Sequence, residues 1–170
     1  MTNGGTLEVT TPSDREILMT RVFNAPRRLV FDALTRPELV RRWLLGPVGW
    51  SMPVCEIDLK VGGAYRYIWR SEENGVEFGF RGVYREIVSP ERLVHTELPD
   101  GPDGEKAGEG ALVTWLLTEQ NGKTALASTM LLPTREARDA VLATGMTEGV
   151  AVSYDRLAEI VESAAAPTPA

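Results

Sequence analysis

The segment TREARDAVLATGMTEGVAVSYDRLAEIVES, residues 134–163, decides how the rest of the chain is read. Within it Leu142, Met146, Val150, Ser153, Leu157 and Ile160 recur at spacings of three and four, forming one stripe of an amphipathic helix. Pro133 precedes the segment, Thr134 offers an N-cap hydroxyl, and Glu136 puts negative charge in the first turn. The spacing predicts a single long helix from about Thr134 to Ser163. Gly145 and Gly149 sit inside it, each costing roughly 1 kcal/mol relative to Ala. They signal either a break near Gly145 or side chains withheld to leave room above a sheet.

Upstream, the punctuation is that of strands and turns. Asn121-Gly122 is the clearest hairpin signal, because a type I′ turn needs positive φ at both central residues. Reading outward from it sets Trp115 opposite Ser128, Val113 opposite Met130 and Leu117 opposite Leu126, a bulky apolar face. Gly62-Gly63, Asn74-Gly75, Ser89-Pro90 and the stretch Pro99 to Gly110 separate further strands. In the Tyr65–Tyr84 hairpin, pairing Trp69 with Phe78, Tyr67 with Phe80 and Tyr65 with Gly82 gathers the aromatics on one face. The same register sets Arg70 opposite Glu77, a favourable pair, at the cost of Arg66 opposite Arg81. A slip of one residue would scatter the aromatic rings over both faces.

Nearer the N-terminus, Glu16 to Phe23 suits a first strand. Pro26 and Pro37 then open two short helices with apolar faces of Val30, Phe31, Ala33 and Leu34, and of Leu39, Val40, Trp43 and Leu44. Gly46-Pro47 ends the second. The expected fold is α+β: a curved antiparallel sheet of about six to seven strands, two short helices and one long C-terminal helix. A single helix lying on such a sheet tends to leave a hollow rather than a filled core.

Composition limits the function classes. At 170 residues, 43% apolar and 25% charged, the chain is expected to form one soluble domain over 16–163, with a flexible segment 1–15 and a disordered tail 164–170. A net charge of −6 and a pI near 4.9 argue against a nucleic-acid partner. Cys55 is the only cysteine, which fits a reducing, cytoplasmic setting. Met1 to Ser13 lack the basic and apolar regions of a signal peptide, and no apolar run reaches the roughly 20 residues of a membrane span.

Several motifs, in order, carry a resemblance. They are Ala25-Pro26, Pro37-Glu38 leading to Trp43, Asp58-Leu59-Lys60-Val61-Gly62-Gly63, Gly82-Val83-Tyr84 and Pro90-Glu91-Arg92-Leu93. The last runs from Gly145-Met146 through Gly149 to Tyr154-Asp155-Arg156-Leu157. From about Glu16 to Ser163 the chain resembles the START-like (SRPBCC) superfamily, in the branch named after the activator of Hsp90 ATPase homologue 1. The resemblance implies a helix-grip fold, in which the C-terminal helix closes a cavity against the sheet. Its members include lipid and hormone binders, polyketide cyclases and proteins of no assigned activity, so fold alone does not settle function. The co-chaperone that names the branch engages its chaperone through a further N-terminal domain, for which 170 residues leave no room.

Residues able to carry chemistry are few. With one Cys and one His the chain cannot assemble a Cys/His zinc site, and no G-x-S-x-G elbow, P-loop or dinucleotide fingerprint occurs, so no metal or cofactor is expected. His95, in a strand from Leu93 to Leu98, has no partner visible in sequence and reads as a surface or core histidine. Cys55 reads as a small buried hydrophobe. Glu86 shares strand parity with Tyr84 and is the carboxylate that could project inward, although a surface or bulge position is the plainer reading. Asp58 is assigned to its turn. Arg27, Arg28, Arg36, Arg41 and Arg42 form a basic cluster, either a solvated helix face or a patch for an acidic partner or membrane surface. The Pro99 to Gly110 loop reads as a flexible connection or a lid.

The candidate binding residues are Tyr67, Trp69, Phe80, Tyr84 and Trp115 with Ser128 and Met130 on the sheet, and Met146, Val150 and Ser153 on the helix. Rigid aromatics mixed with hydroxyls and helix glycines suit a small-molecule site, while a plain filled core is the competing reading. Three functions remain open. The first is binding of a small apolar or aromatic molecule. The second is a cyclase- or hydratase-like enzyme acting on a polyketide-type substrate. The third is a co-chaperone or stress-response adaptor acting through its surface on a protein partner or as a homodimer. Neither nucleic acid nor an integral membrane is an expected partner.

Overall fold

The computed structural model describes residues 5–46, 48–100 and 110–166. The chain runs β1 (Glu8–Thr10), β2 (Glu16–Phe23), α1 (Arg27–Thr35), α2 (Pro37–Trp43), β3 (Trp50–Ile57), β4 (Ala64–Ser71) and β5 (Glu77–Val88). It continues through β6 (Arg92–Asp100), β7 (Ala111–Gln120), β8 (Lys123–Leu131) and α3 (Arg135–Ala143) to α4 (Met146–Ala165). All strand pairs are antiparallel, in the order β1-β2-β8-β7-β6-β5-β4-β3, and the open sheet is curved. The fold is thus the α+β, helix-grip arrangement expected. It has eight strands rather than six or seven, because Glu8–Thr10 pairs with β2 inside the segment read as flexible.

Local chemistry explains the helical crossover from β2 to β3 at the far edge of the sheet. Arg36 precedes Pro37, so it is pushed out of the helical region (φ −98°, ψ 121°) and ends α1. Pro37 then starts α2, where its missing amide costs nothing. The Trp43 indole donates to the Ala33 carbonyl at 2.8 Å and locks the two helices together. Val30, Phe31, Leu34 and Trp43 enter a core with Phe23, Leu117, Leu126, Tyr154 and Leu157.

The two hairpin registers match the sequence expectation pair for pair, including Trp115 with Ser128 and Trp69 with Phe78. Asn121 (φ 55°) and Gly122 (φ 76°) supply the positive φ values of the type I′ turn.

The C-terminal segment is not one helix. α3 ends at Ala143, Gly145 adopts φ 78°, a left-handed conformation that suits only glycine without strain, and α4 begins at Met146. The buried face of α4 is Ser153, Tyr154, Leu157, Ala158 and Val161, turned from the expected stripe so that Tyr154 points inward. Thr134 does cap α3, accepting from the Ala137 amide at 3.0 Å. The expected stop at Pro47, the loop over 101–109 and the end of the tail over 167–170 lie outside the described residues.

Candidate functional site

β4, β6, β7 and β8 turn alternate residues toward α4, and a cavity of about 700 Å³ lies between them. Of the ten residues expected to line such a space, all except Tyr84 border it. Tyr84 lies behind the wall, 3% exposed, with its ring 5.6 Å from that of Tyr65. The chain's four tryptophans, Trp43, Trp50, Trp69 and Trp115, all border the cavity. Gly149 does so too, and a Cβ added there would meet nothing within 4 Å.

The most informative wall residues are two that the sequence reading did not select. β6 pairs with β7 so that Leu93, His95 and Glu97 face Trp115, Val113 and Ala111, which sets all three on the inner face. His95 is only 5% exposed, and the Trp115 ring stands edge-on to it at 4.9 Å. Its Nδ1 lies 3.2 Å from the Tyr65 hydroxyl and 3.3 Å from the Thr96 carbonyl. Tyr65 itself donates to that carbonyl at 2.6 Å. A carbonyl only accepts, and the Tyr65 proton is already committed, so the hydrogen-bond network assigns a proton to Nδ1. Burial, only partly opposed by the Thr96 carbonyl, holds the ring's pKa down at about 4. His95 is therefore neutral near pH 7, and its Nε2 is a buried acceptor with no partner among the described residues.

Glu97 borders the same cavity, and burial pushes its carboxyl up to about 7. Its charge also helps to raise the Tyr65 and Tyr154 hydroxyls, after burial. Glu86, by contrast, points outward. A bulge leaves Arg85 unpaired between Tyr84, opposite His95, and Glu86, opposite Val94. The extra residue reverses the strand's parity, and Glu86 meets Arg92 at 3.2 Å on the surface. Glu86 thus takes the surface position beside a bulge that was its plainer reading, and Glu97 is the carboxylate on the cavity wall.

Trp115 Nε1 donates to Ser128 Oγ at 3.1 Å. Cys55 is buried on β3, with its thiol 3.9 Å from the Pro37 carbonyl, and burial pushes its pKa up to about 11, as suits an inert core thiol. Much of the basic cluster is engaged internally: Arg27 with Glu91 at 3.3 Å, Arg36 with Glu38 at 2.9 Å, and Arg41 with the Met52 carbonyl at 2.8 Å. Among the described residues no helix is long and apolar enough to cross a membrane.

Comparison with known proteins places this geometry among relatives. A family model described as activator of Hsp90 ATPase homolog 1-like protein matches residues 24–162. A crystal structure from Rhodobacter sphaeroides shares 31% identity and a TM-score of 0.85, covering 94% of this chain and 99% of that one. Crystal structures from Nitrosomonas europaea (23% identity, TM-score 0.76) and Mycobacterium smegmatis (18%, 0.81) share the fold. They cover 91% and 98% of this chain, and 98% and 100% of their own. No curated protein matches the chain in sequence.

Proposed function

The chain belongs to the activator of Hsp90 ATPase homolog 1-like family, and from that premise we propose that it binds a small apolar or aromatic molecule between the sheet and α4. The cavity of about 700 Å³ carries this reading. Its size falls within the range of roughly 300–1,000 Å³ used by small-molecule sites, and its walls are mostly rings and aliphatic side chains with a few polar atoms. Such walls bind by removing apolar surface from water, while the polar atoms set orientation. Native mass spectrometry of the purified protein, with a thermal-shift screen over lipids, flavonoids and polyketides, tests the proposal. The expected result is a bound mass or a raised melting temperature. Silence across all three classes would sink it.

A second reading, an enzyme of cyclase or hydratase type, is favoured by Glu97. A carboxyl on the wall of an apolar cavity with a pKa of about 7 is poised to accept or give a proton at neutral pH. Turnover of a linear polyketone should then fall about a hundredfold or more in Glu97→Gln. Unchanged turnover in that variant would remove Glu97 from the chemistry.

A further inference from the structure

Among the described residues, Glu97 and Glu148 are the charged side chains that border the cavity, and no Arg or Lys does. Glu148 is exposed in the first turn of α4. Arg156, further along the same helix, is turned to the Gly46 carbonyl at 2.8 Å. Glu97 stands on the inner face of β6, and its carboxyl has no hydrogen-bond or ion-pair partner among the described residues. Unlike His95 Nε2, its oxygens are not sealed off, so a molecule in the cavity can reach them.

An ionised carboxylate so placed lacks both bulk water and a countercharge, and burial accordingly holds Glu97 up at about 7. A ligand that brings a cation supplies the countercharge. Aromatic walls ease the transfer of that cation from water, because ring faces attract positive charge. Four tryptophans border the cavity, and the Tyr65 and Tyr154 hydroxyls lie close enough to Glu97 to feel its charge. A carboxylate ligand would meet the reverse, negative groups and no cation.

Resting on the binding reading above, we infer that the cavity takes an alkylamine carrying an aromatic ring, held as its ammonium with N–H donated to the Glu97 carboxylate. Carboxylates of the same shape are discriminated against.

Isothermal titration calorimetry at pH 8, above the Glu97 value of about 7, tests this with 2-(2-naphthyl)ethylamine, 2-(2-naphthyl)ethanol and 2-naphthylacetate. The probes share a ring system and differ in charge, and the alkylamine is still protonated at that pH. The amine should bind roughly ten- to a hundredfold tighter than the alcohol, as a hydrogen bond to a charged group is worth, with the carboxylate weakest. Glu97→Gln should remove the advantage of the amine, leave the alcohol unchanged and improve the carboxylate. In the parent, the advantage should persist at about 0.5 M salt, which screens exposed charges far more than a pair inside the cavity.

An amine no tighter than the alcohol, a carboxylate that binds best, or an amine preference that survives in Glu97→Gln overturns the inference while leaving cavity binding intact. Failure of all three probes to bind overturns the inference, and the wider ligand screen then decides the binding reading by itself. If Glu97→Gln does not fold, the salt series on the parent decides. A preference abolished by salt belongs to exposed Glu148 or to the net charge of −6, and overturns the inference.

Discussion

Tyr65 and His95 meet across an intervening strand. Tyr65 belongs to β4 and His95 to β6, yet the Tyr65 hydroxyl lies 3.2 Å from His95 Nδ1 and both groups address the Thr96 carbonyl. Gly82 of β5, opposite Tyr65 in register, makes the crossing possible. A Cβ there would collide with the Thr96 carbonyl and come within 2.6 Å of the Tyr65 ring. Gly82→Ala should therefore destabilise the protein by about 1–3 kcal/mol, as overpacking does. Tyr65→Phe should cost only about 1 kcal/mol, since the Thr96 carbonyl keeps His95 Nδ1 as a donor. Urea denaturation of both variants checks the order, and a larger loss in Tyr65→Phe would contradict it.

The His95–Glu97 strand face gives an opposed pH dependence. Tyr65, Tyr84 and Trp115 are the rings around His95, and Glu97 is the carboxyl on the same face. Between about 4 and 6.5 the unfolded chain binds a proton that folded His95 refuses, so this stability is complete above pH 6.5 and is lost as pH falls toward 4. Between 4.5 and about 7 folded Glu97 keeps a proton that the unfolded chain releases, so that stability is complete below pH 4.5 and is lost as pH rises through 7. The slopes oppose each other over their common window. Relative to the parent, His95→Gln should lose about 3 kcal/mol as pH rises from 4 to 6.5. Glu97→Gln should gain over 4.5 to 7, by less, because water in the cavity screens the carboxyl. Denaturant melts across pH 4–8 measure both, and variant curves parallel to the parent would show that neither group is perturbed.

The two glycines of the C-terminal segment should respond in opposite directions. Gly145 is held at φ 78°, so Gly145→Ala should cost about 1–2 kcal/mol. Gly149 is helical, with open space where a Cβ would go, so Gly149→Ala should stabilise by up to about 1 kcal/mol. Thermal melts decide, and stabilisation by Gly145→Ala would mean that α3 and α4 can merge into the continuous helix that the spacing suggests.

Why the hairpins were legible and the polar wall was not has a physical basis. Asn121-Gly122 fixes a turn type, the turn fixes a register, and the register assigns every side chain of β7 and β8 to a face. The bulge at Arg85 carries no such mark, since one extra residue changes parity without changing composition, and for that reason strand parity alone left the inward alternative for Glu86 open. His95 and Glu97 were hidden because β6 is apolar on both faces, with Leu93 and Val94 both buried. A signal existed. Continuing the inward face of Trp115 and Val113 onto the neighbouring strand places His95 and Glu97 inside. The same holds for Tyr154, where restarting the helical count at Gly145 rather than Thr134 turns that ring to the core.

Trp115 joins the two halves of the site and gives the sharpest division between wall and core. It packs against both major core clusters, stands edge-on to His95 and donates to Ser128, yet one side borders the cavity and the residue is only half-buried. A ring filling a closed core would cost about 3–5 kcal/mol on truncation to Ala. A ring with a free face has fewer neighbours to lose, so Trp115→Ala should fall at the low end of that range, near 3 kcal/mol. The substitution also removes the ring edge against His95 and the donor held by Ser128. Affinity for an aromatic ligand should therefore drop together with stability. Paired calorimetry and urea melts separate the outcomes. A loss of 5 kcal/mol with unchanged ligand affinity would make Trp115 a core residue and move the binding surface elsewhere on the cavity wall.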